Sequence, residues 1–143
     1  MEVDELVARE AVRELVARYA HLVDRGRIDE LVLLFTADAT LEANDLPPAC
    51  GREAIRAFLG DTKTRLAAAT ARPLIRHHVT NLTIDVTGHT ATAAAYFLVV
   101  TERGPDHWGR YRDRFVRGDG QWWFQHRRVR TDGHVPGSWV NRR

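Results

Sequence analysis

The sequence contains a single cysteine, Cys50, which rules out an internal disulfide bond and any zinc site built from several cysteines. So little cysteine fits the cytoplasm best, and we predict that location. Long apolar runs are also missing, because the longest uncharged one, near residues 91–100, is too short for the roughly 20 residues of a membrane-spanning helix. The acidic N-terminus lacks the basic start and apolar stretch of a secretion signal, so we expect neither export nor a membrane partner.

The sequence also has little excess of either charge, since 21 Lys and Arg residues nearly balance 19 Asp and Glu residues. The net charge of +2 is far too small to indicate a nucleic-acid-binding protein, and we predict no nucleic-acid partner. Hydrophobic residues make up 44% of the 143 residues, an ordinary value for a folded protein with one core. We therefore predict one domain over residues 1–143, with its core at about 5–131 and a tail at 132–143 that contacts the surface or a partner subunit.

Apolar residues recur with helical spacing in the first half of the chain. They predict a long first helix from Leu6 to about Asp24, a short second helix over residues 28–35, and a third helix that opens at Gly51. A brief alternation at residues 39–43 predicts a strand between the second and third helices. The N-terminal half is therefore predicted to be mainly helical.

After Pro73, threonine, β-branched and aromatic residues become frequent, a pattern typical of strands. Short glycine-containing turns separate the segments, so neighbouring strands are expected to pair antiparallel. The predicted fold class is α+β, with three N-terminal helices packed on one face of a mainly antiparallel sheet. The four strands predicted for this half span about residues 74–86, 90–102, 108–118 and 121–131.

Five segments of the chain carry a family resemblance: residues 18–31 (RYAHLVDRGRIDEL), 34–40 (LFTADAT), 51–59 (GREAIRAFL) and 76–81 (RHHVTN), and the hairpin at 111–122. They resemble the SnoaL-like proteins of the nuclear transport factor two superfamily, over about residues 12–131. The resemblance implies a cone-shaped α+β barrel, in which a strongly curved sheet wraps the three helices and leaves a deep pocket for a small apolar or aromatic molecule. It also implies a homodimer, as relatives often form.

The fold implied by the resemblance does not choose a function, because it serves several kinds of protein. They include ketosteroid isomerases, scytalone and bile-acid dehydratases, polyketide cyclases, epoxide hydrolases, dioxygenase small subunits and proteins without catalysis. The residues of the pocket therefore have to distinguish between these functions.

Asp24 and His77 match an aspartate and a histidine that dehydratases of this family use as a pair. A carboxylate that accepts one ring N–H fixes the tautomer of the imidazole and stabilises the imidazolium formed when the other nitrogen takes a proton. Since a helix C-terminus disfavours negative charge, the helix gives no structural reason for an aspartate at this position. The alternative is a structural Asp24 that accepts hydrogen bonds from the backbone or from Arg25 or Arg27.

His77 and His78 are neighbours on a predicted strand, so alternation sends their side chains to opposite faces unless a bulge intervenes. The resemblance favours His77 for the pocket, with Asn81 on the same face, and leaves His78 as the second candidate. Parity points the other way, because Leu82 and Ile84 look like core residues and share a face with His78. Alternatively, one histidine is on the surface and the other is a buried group with a satisfied hydrogen bond. No third ligand is evident, so we predict no metal and no cofactor.

Tyr19 lies on the apolar face of the first helix and matches a pocket tyrosine of isomerase and dehydratase relatives, whose hydroxyl would polarise a carbonyl group. Core packing is the alternative, since a buried tyrosine usually finds some hydrogen-bond partner. Aromatic side chains that line a pocket favour a flat aromatic ligand, whereas most aromatic residues serve the core or a subunit interface. The predicted substrate contacts are Phe35, Asn81, Tyr96, Trp108 and Tyr111.

Two positions depart from the relatives. The general-base aspartate of ketosteroid isomerases falls at Ala43, and an additional acid of the bile-acid dehydratases falls near Val99, so neither position can take a proton. No Asp-Arg-Asp set of the epoxide-hydrolase type can be assigned. We predict a cofactor-independent dehydratase or isomerase of a carbonyl-bearing aromatic or polyketide-like substrate, with His77 as the acid and base and Asp24 as its partner. A polyketide cyclase and a non-catalytic binding protein are the alternatives.

Overall fold

The computed structural model describes residues 1–71 and 73–141, so the last two residues of the predicted tail lie outside the described residues. The described residues form three α-helices: α1 (Val3–Asp24), α2 (Ile28–Leu31, continued by a 3-10 turn at Val32–Leu34) and α3 (Arg52–Ala69). The second helix is shorter than predicted, because Phe35 already opens a strand. No helix among the described residues is long and apolar enough to cross a membrane.

The turn after α1 determines where Asp24 stands. Gly26 has a φ of 67°, the left-handed conformation that often ends a helix and that glycine adopts without steric cost. Its N–H donates to the carbonyl oxygen of Val23, and the N–H of Arg25 donates to that of His21. The helix therefore stops at Asp24, whose side chain is only 11% exposed.

In the part of the chain that the structure describes, six strands form one curved, open sheet: β1 (Phe35–Ala43), β2 (Ala49–Cys50), β3 (Ile75–Thr87), β4 (Thr90–Thr101), β5 (Gly104–Gly118) and β6 (Gln121–His134). Their order is β2-β1-β6-β5-β4-β3. All neighbouring pairs are antiparallel except β1 with β6, which is parallel. The sheet is thus mainly antiparallel, as predicted, and β2 is the strand that the sequence pattern did not predict, because it has only two residues.

A β-bulge in β3 resolves the conflict of parity around the two histidines. Thr80 pairs with Tyr96 and Thr83 with Ala94, so β3 has one residue more than β4 over this stretch. Asn81 takes up the extra length with a φ of 55°. The inward face of β3 therefore shifts from odd to even residue numbers at the bulge, and His77 shares the concave face with Ile84.

The core lies between α1 and the concave face of the sheet and combines an aromatic cluster with an ion pair. Phe35 stacks on Phe124 with ring centroids 5.1 Å apart, and Tyr19 packs against both rings. Arg127 and Asp113 lie beside them with fully buried side chains and form two hydrogen bonds of 2.9 and 3.1 Å. Charges this deeply buried depend on each other for compensation.

Replacing Asn81 by valine is expected to lower the free energy of unfolding by about 1–2 kcal/mol, because a β-branched residue is strained in the left-handed conformation. Asn81→Gly relieves the strain and should be far milder. Thr80→Val is the matched control, an exposed residue beside the bulge in an ordinary strand conformation. Urea denaturation measures all three; equal effects of the two valine variants would contradict the role of the bulge.

Replacing Arg127 by methionine is expected to lower the free energy of unfolding by about 3–5 kcal/mol, because the carboxylate of Asp113 is then buried without a partner. The double variant Arg127→Met/Asp113→Leu removes both charges and should recover most of this loss. Urea denaturation of the single and double variants measures the difference. The account of the ion pair fails if the single variant is as stable as the double one.

Candidate functional site

A cavity of about 110 Å³ lies on the concave face of the sheet, beneath α1 and α3. A second cavity of about 210 Å³ adjoins it at the end of α1. The residues that line both cavities are Val23, Leu59, Thr62, Ile75 and Trp139. The polar residues that line the first cavity are Tyr19, Asn44, Thr62, His77, His107, Tyr111 and Thr131.

A wider groove of about 430 Å³ lies elsewhere, where Arg112, Arg114 and His126 line it together with threonine and aspartate residues. It is open and strongly charged. The concave cavity instead sets a few polar groups among apolar side chains, as small-molecule sites usually do. We therefore place the candidate site in the concave cavity.

Asp24 and His77 form a hydrogen-bonded pair at one side of this cavity. Nδ1 of His77 lies 2.7 Å from Oδ1 of Asp24, and the backbone N–H of His77 donates to both carboxylate oxygens at 3.1 and 3.2 Å. No arginine contacts this carboxylate within the described part of the chain, and Arg27 pairs with Glu30 instead. With Asp24 ionised, the ring proton sits on Nδ1, so Nε2 is left as the proton acceptor.

A second pair of the same kind, Asp106 and His107, was not predicted. Nδ1 of His107 lies 2.8 Å from Oδ2 of Asp106, and both residues are buried. His107 lines the cavity, and its ring makes a T-shaped contact with the ring of Trp139, with ring centroids 5.6 Å apart. Parity along β5 contained the signal, because His107 is four residues before the inward-facing Tyr111.

The two histidines stand on either side of one valine. His77 pairs with Val99 across β3 and β4, and Val99 pairs with His107 across β4 and β5. Burial lowers the pKa of His107 below its ordinary value of 6.5; Asp106 opposes this shift, while the positive charge of a protonated His77 adds to it. His107 is therefore neutral at pH 7 and can accept a proton.

Tyr19 and Tyr111 line the floor of the cavity and enclose the guanidinium group of Arg127. The central carbon of this group lies 3.6 Å from the ring centroid of Tyr111 and 4.2 Å from that of Tyr19. Burial raises the pKa of both tyrosines, and Arg127 opposes the rise. Both hydroxyl groups are protonated at neutral pH and can donate hydrogen bonds.

His78 and Asn81, two of the predicted site residues, face away from the cavity. His78 is exposed because it alternates with the inward-facing His77. Asn81 is exposed because the bulge takes it out of step with His77, so the spacing of four residues does not place both on one face. The expectation that Asn81 enters the pocket was wrong, and of the two candidate histidines it is His77, not His78, that lines the cavity.

Three of the predicted aromatic contacts also lie outside the cavity, while Tyr111 lines it. Tyr96 and Trp108, with exposed fractions of 56% and 41%, are on the outer face of neighbouring strands. Phe35 is fully buried, but it packs behind Tyr19 and does not line the cavity. Alternation along β4 and β5, counted from the buried residues, would have placed the first two outside.

Ala43 and Val99, the two positions where relatives carry an acidic residue, both lie on the concave side of the sheet. Ala43 lines the cavity, and Val99 is fully buried between the two histidines. Arg127 pairs with Asp113 and with no second carboxylate among the described residues, so an Asp-Arg-Asp set is not formed there. Over residues 1–71 and 73–141, no three His, Cys, Asp or Glu side chains gather as a metal site would require.

This chain is similar in sequence and in fold to three solved structures. A protein from Novosphingobium aromaticivorans, provisionally assigned as a scytalone dehydratase, is 28% identical with a TM-score of 0.78, over 94% of this chain and 93% of that one. A protein from Catenulispora acidiphila, solved in complex with S-DNPA, is 31% identical with a TM-score of 0.77, over 89% of this chain and 95% of that one. An NTF2-like protein with a cystatin-like fold, also from N. aromaticivorans, is 27% identical with a TM-score of 0.77, over 99% of this chain and 97% of that one.

No curated protein matches this chain. A family model, in contrast, matches most of its length. Residues 4–128, which run from the start of α1 to the middle of β6, match the SnoaL-like domain. Helices packed against a curved, mostly antiparallel sheet are also what the solved relatives share. The protein belongs to the SnoaL-like domain family.

Proposed function

We propose that the protein is a cofactor-independent dehydratase or isomerase of a small carbonyl-bearing substrate with an aromatic or polyketide-like skeleton. The observation that carries the proposal is the presence of two histidines, each with its own carboxylate, at one apolar cavity. The similarity to the N. aromaticivorans protein assigned as a scytalone dehydratase supports the reaction class.

His77 begins the proposed reaction. Its Nε2 removes the proton next to the substrate carbonyl, and Asp24 stabilises the imidazolium that results. The electrons of the broken C–H bond form an enolate, whose oxygen accepts a hydrogen bond from Tyr19 or Tyr111. When the enolate collapses, the C–O bond of the β-hydroxyl group breaks and the departing oxygen takes a proton, so water leaves.

The proton for the departing oxygen has two sources in this geometry. His77 can return the proton it took, which requires both events on one face of the substrate. His107, two strands away, is neutral at pH 7 and would donate from the opposite face only after its Nε2 has taken up a proton from solvent, in a charged form that Asp106 would stabilise. In an isomerisation the same groups return the proton to another carbon, and no bond to oxygen breaks.

The two adjoining cavities limit the substrate to a compact molecule. Together they reach the lower end of the range of about 300–1,000 Å³ found for ligand pockets. Aromatic rings and aliphatic side chains supply most of the walls, which favours a flat ring system with few polar groups.

Two alternatives share this pocket. A polyketide cyclase would use the same acid and base residues on a substrate that closes a ring. A non-catalytic binding protein is favoured by Ala43, which places a methyl group at the cavity where isomerase relatives have their base. The predicted homodimer and cytoplasmic location stay predictions; exposed Tyr96 and Trp108 would supply aromatic surface for a subunit interface.

Asp24→Asn and His77→Asn are each expected to lower kcat by about 10²–10⁴-fold, because each removes the acid-base function of the pair. The assay follows formation of the conjugated double bond by ultraviolet absorption, with a panel of aromatic β-hydroxy ketones. His78→Asn is the matched control, since the neighbouring histidine faces solvent and should leave kcat unchanged. A wild-type protein that binds but converts none of the panel favours the binding protein, and full activity in Asp24→Asn contradicts the pair.

Stability is expected to fall in mildly acidic solution because of His107. Burial holds its folded-state pKa below the ordinary value of 6.5. At a pH between the folded-state pKa and 6.5, the unfolded chain therefore binds more protons than the folded one. The contribution of neutral His107 is complete above pH 6.5 and is lost as the pH falls from there towards the lowered value. Urea denaturation at about pH 7.5 and about pH 5.5 should show a smaller difference in His107→Gln than in the wild type. An equal difference in both proteins would contradict the lowered pKa.

A further inference from the structure

The C-terminal tail reaches back to the second histidine pair through one hydroxyl group. Oγ of Ser138 donates to Oδ2 of Asp106 at 2.6 Å, and the same oxygen accepts the ring N–H of His107 at 2.8 Å. Ser138 is 2% exposed, so no water competes for this bond. Oδ2 of Asp106 therefore links the hydroxyl group of Ser138 in the tail to the ring of His107 at the cavity.

The local backbone fixes the direction of this hydroxyl group. The N–H of Val140 donates to Oγ of Ser138 at 3.2 Å, which leaves the hydroxyl proton directed to Asp106. The N–H of Val135 donates to the carbonyl oxygen of Asp106 at 2.9 Å, and the N–H of Ser138 closes a turn onto Val135 at 3.1 Å. The tail is thus tied to Asp106 through both backbone and side chain.

The two histidine pairs differ in what holds their carboxylates. Asp24 is held by the ring and the backbone N–H of His77, and no other side chain of the described residues donates to it. Asp106 is next to His107 in the chain and has the hydroxyl group of Ser138 as its other side-chain donor. Loss of the Ser138 hydroxyl group is therefore expected to affect the Asp106–His107 pair. The Asp24–His77 pair should be unaffected and serves as an internal reference.

We propose that Ser138 is a positioning residue for His107: it orients the Asp106 carboxylate so that Nδ1 of His107 keeps its proton and Nε2 faces the cavity. The inference rests on the proposed function, in which His107 is the second acid-base group. A carboxylate oriented by its own hydrogen bonds fixes the tautomer of the histidine it accepts from; around metal-binding histidines, substitution of such outer residues changes metal affinity or activity by about 10–100-fold. The tail then does more than cover the cavity.

The tautomers of His77 and His107 can be read directly by long-range ¹H–¹⁵N NMR of the histidine rings, in the full chain without substrate. In the wild type both rings are expected as the Nδ1–H tautomer. In Ser138→Ala, His107 should acquire a measurable Nε2–H population, while His77 keeps its wild-type signals. Asp106→Asn is the positive control, because its amide group can donate to Nδ1 and move the proton to Nε2.

Two further variants separate positioning from packing. Trp139→Phe loosens the tail against His107 but keeps the hydroxyl of Ser138, so the wild-type tautomer is expected. Ser138→Cys nearly keeps the side-chain volume and weakens the donor, which tests the proposal should the alanine variant fail to fold. The proposal is overturned if His107 stays entirely Nδ1–H in Ser138→Ala and Ser138→Cys, or if Trp139→Phe shifts it equally.

Turnover distinguishes this proposal from the proposed function. If the dehydratase assay succeeds, Ser138→Ala should lower kcat about tenfold or more with little change in KM, because substrate still fills the cavity. A tautomer shift in a protein that converts no substrate leaves the positioning role intact and rejects the function. Unaltered kcat with a shifted tautomer rejects His107 as an acid-base group.

Discussion

The carboxylate of Asp24 joins the end of α1 to β3, and the geometry of the site depends on this contact. The backbone N–H of His77 fixes the carboxylate against the strand, and the ring N–H then fixes the imidazole, at 2.7 Å. A helix C-terminus disfavours a negative charge, so the fold accepts an electrostatic cost at this position. The interaction with His77 compensates that cost and leaves a single orientation for Nε2.

Acid-base chemistry in an apolar cavity requires that each charge formed meets a compensating group already in place. In the proposed reaction the imidazolium of His77 would meet Asp24, and that of His107 would meet Asp106. The same holds for the floor of the cavity, where the rings of Tyr19 and Tyr111 pack on the guanidinium group of Arg127, whose charge is balanced by Asp113. Because the site is buried, every polar group in it needs a hydrogen-bond or charge partner, and each such interaction is stronger than it would be in water.

The sequence was sufficient to predict the α+β class, the three helices and the four long strands, because their apolar patterns extend over many residues. It also indicated Tyr19 and His77, which line one cavity, and Asp24, which contacts His77 and lines the adjoining cavity. The bulge at Asn81 could not be predicted, since the extra residue is visible only against β4. Ser138 was missed for a related reason, because its hydrogen bond to Asp106 is formed across 32 residues by a tail without regular periodicity. His107 was missed although alternation along β5 places it on the inward face.

The central claim is that His77 removes a proton next to a carbonyl group in this cavity. Its most direct test is hydrogen exchange in D₂O at the α-carbon of an aromatic ketone without a leaving group, such as 1-tetralone, followed by proton NMR. The account predicts exchange that the wild type accelerates above the protein-free rate, that His77→Asn abolishes and that His78→Asn leaves unchanged. Equal acceleration by the wild type and by His77→Asn would contradict it.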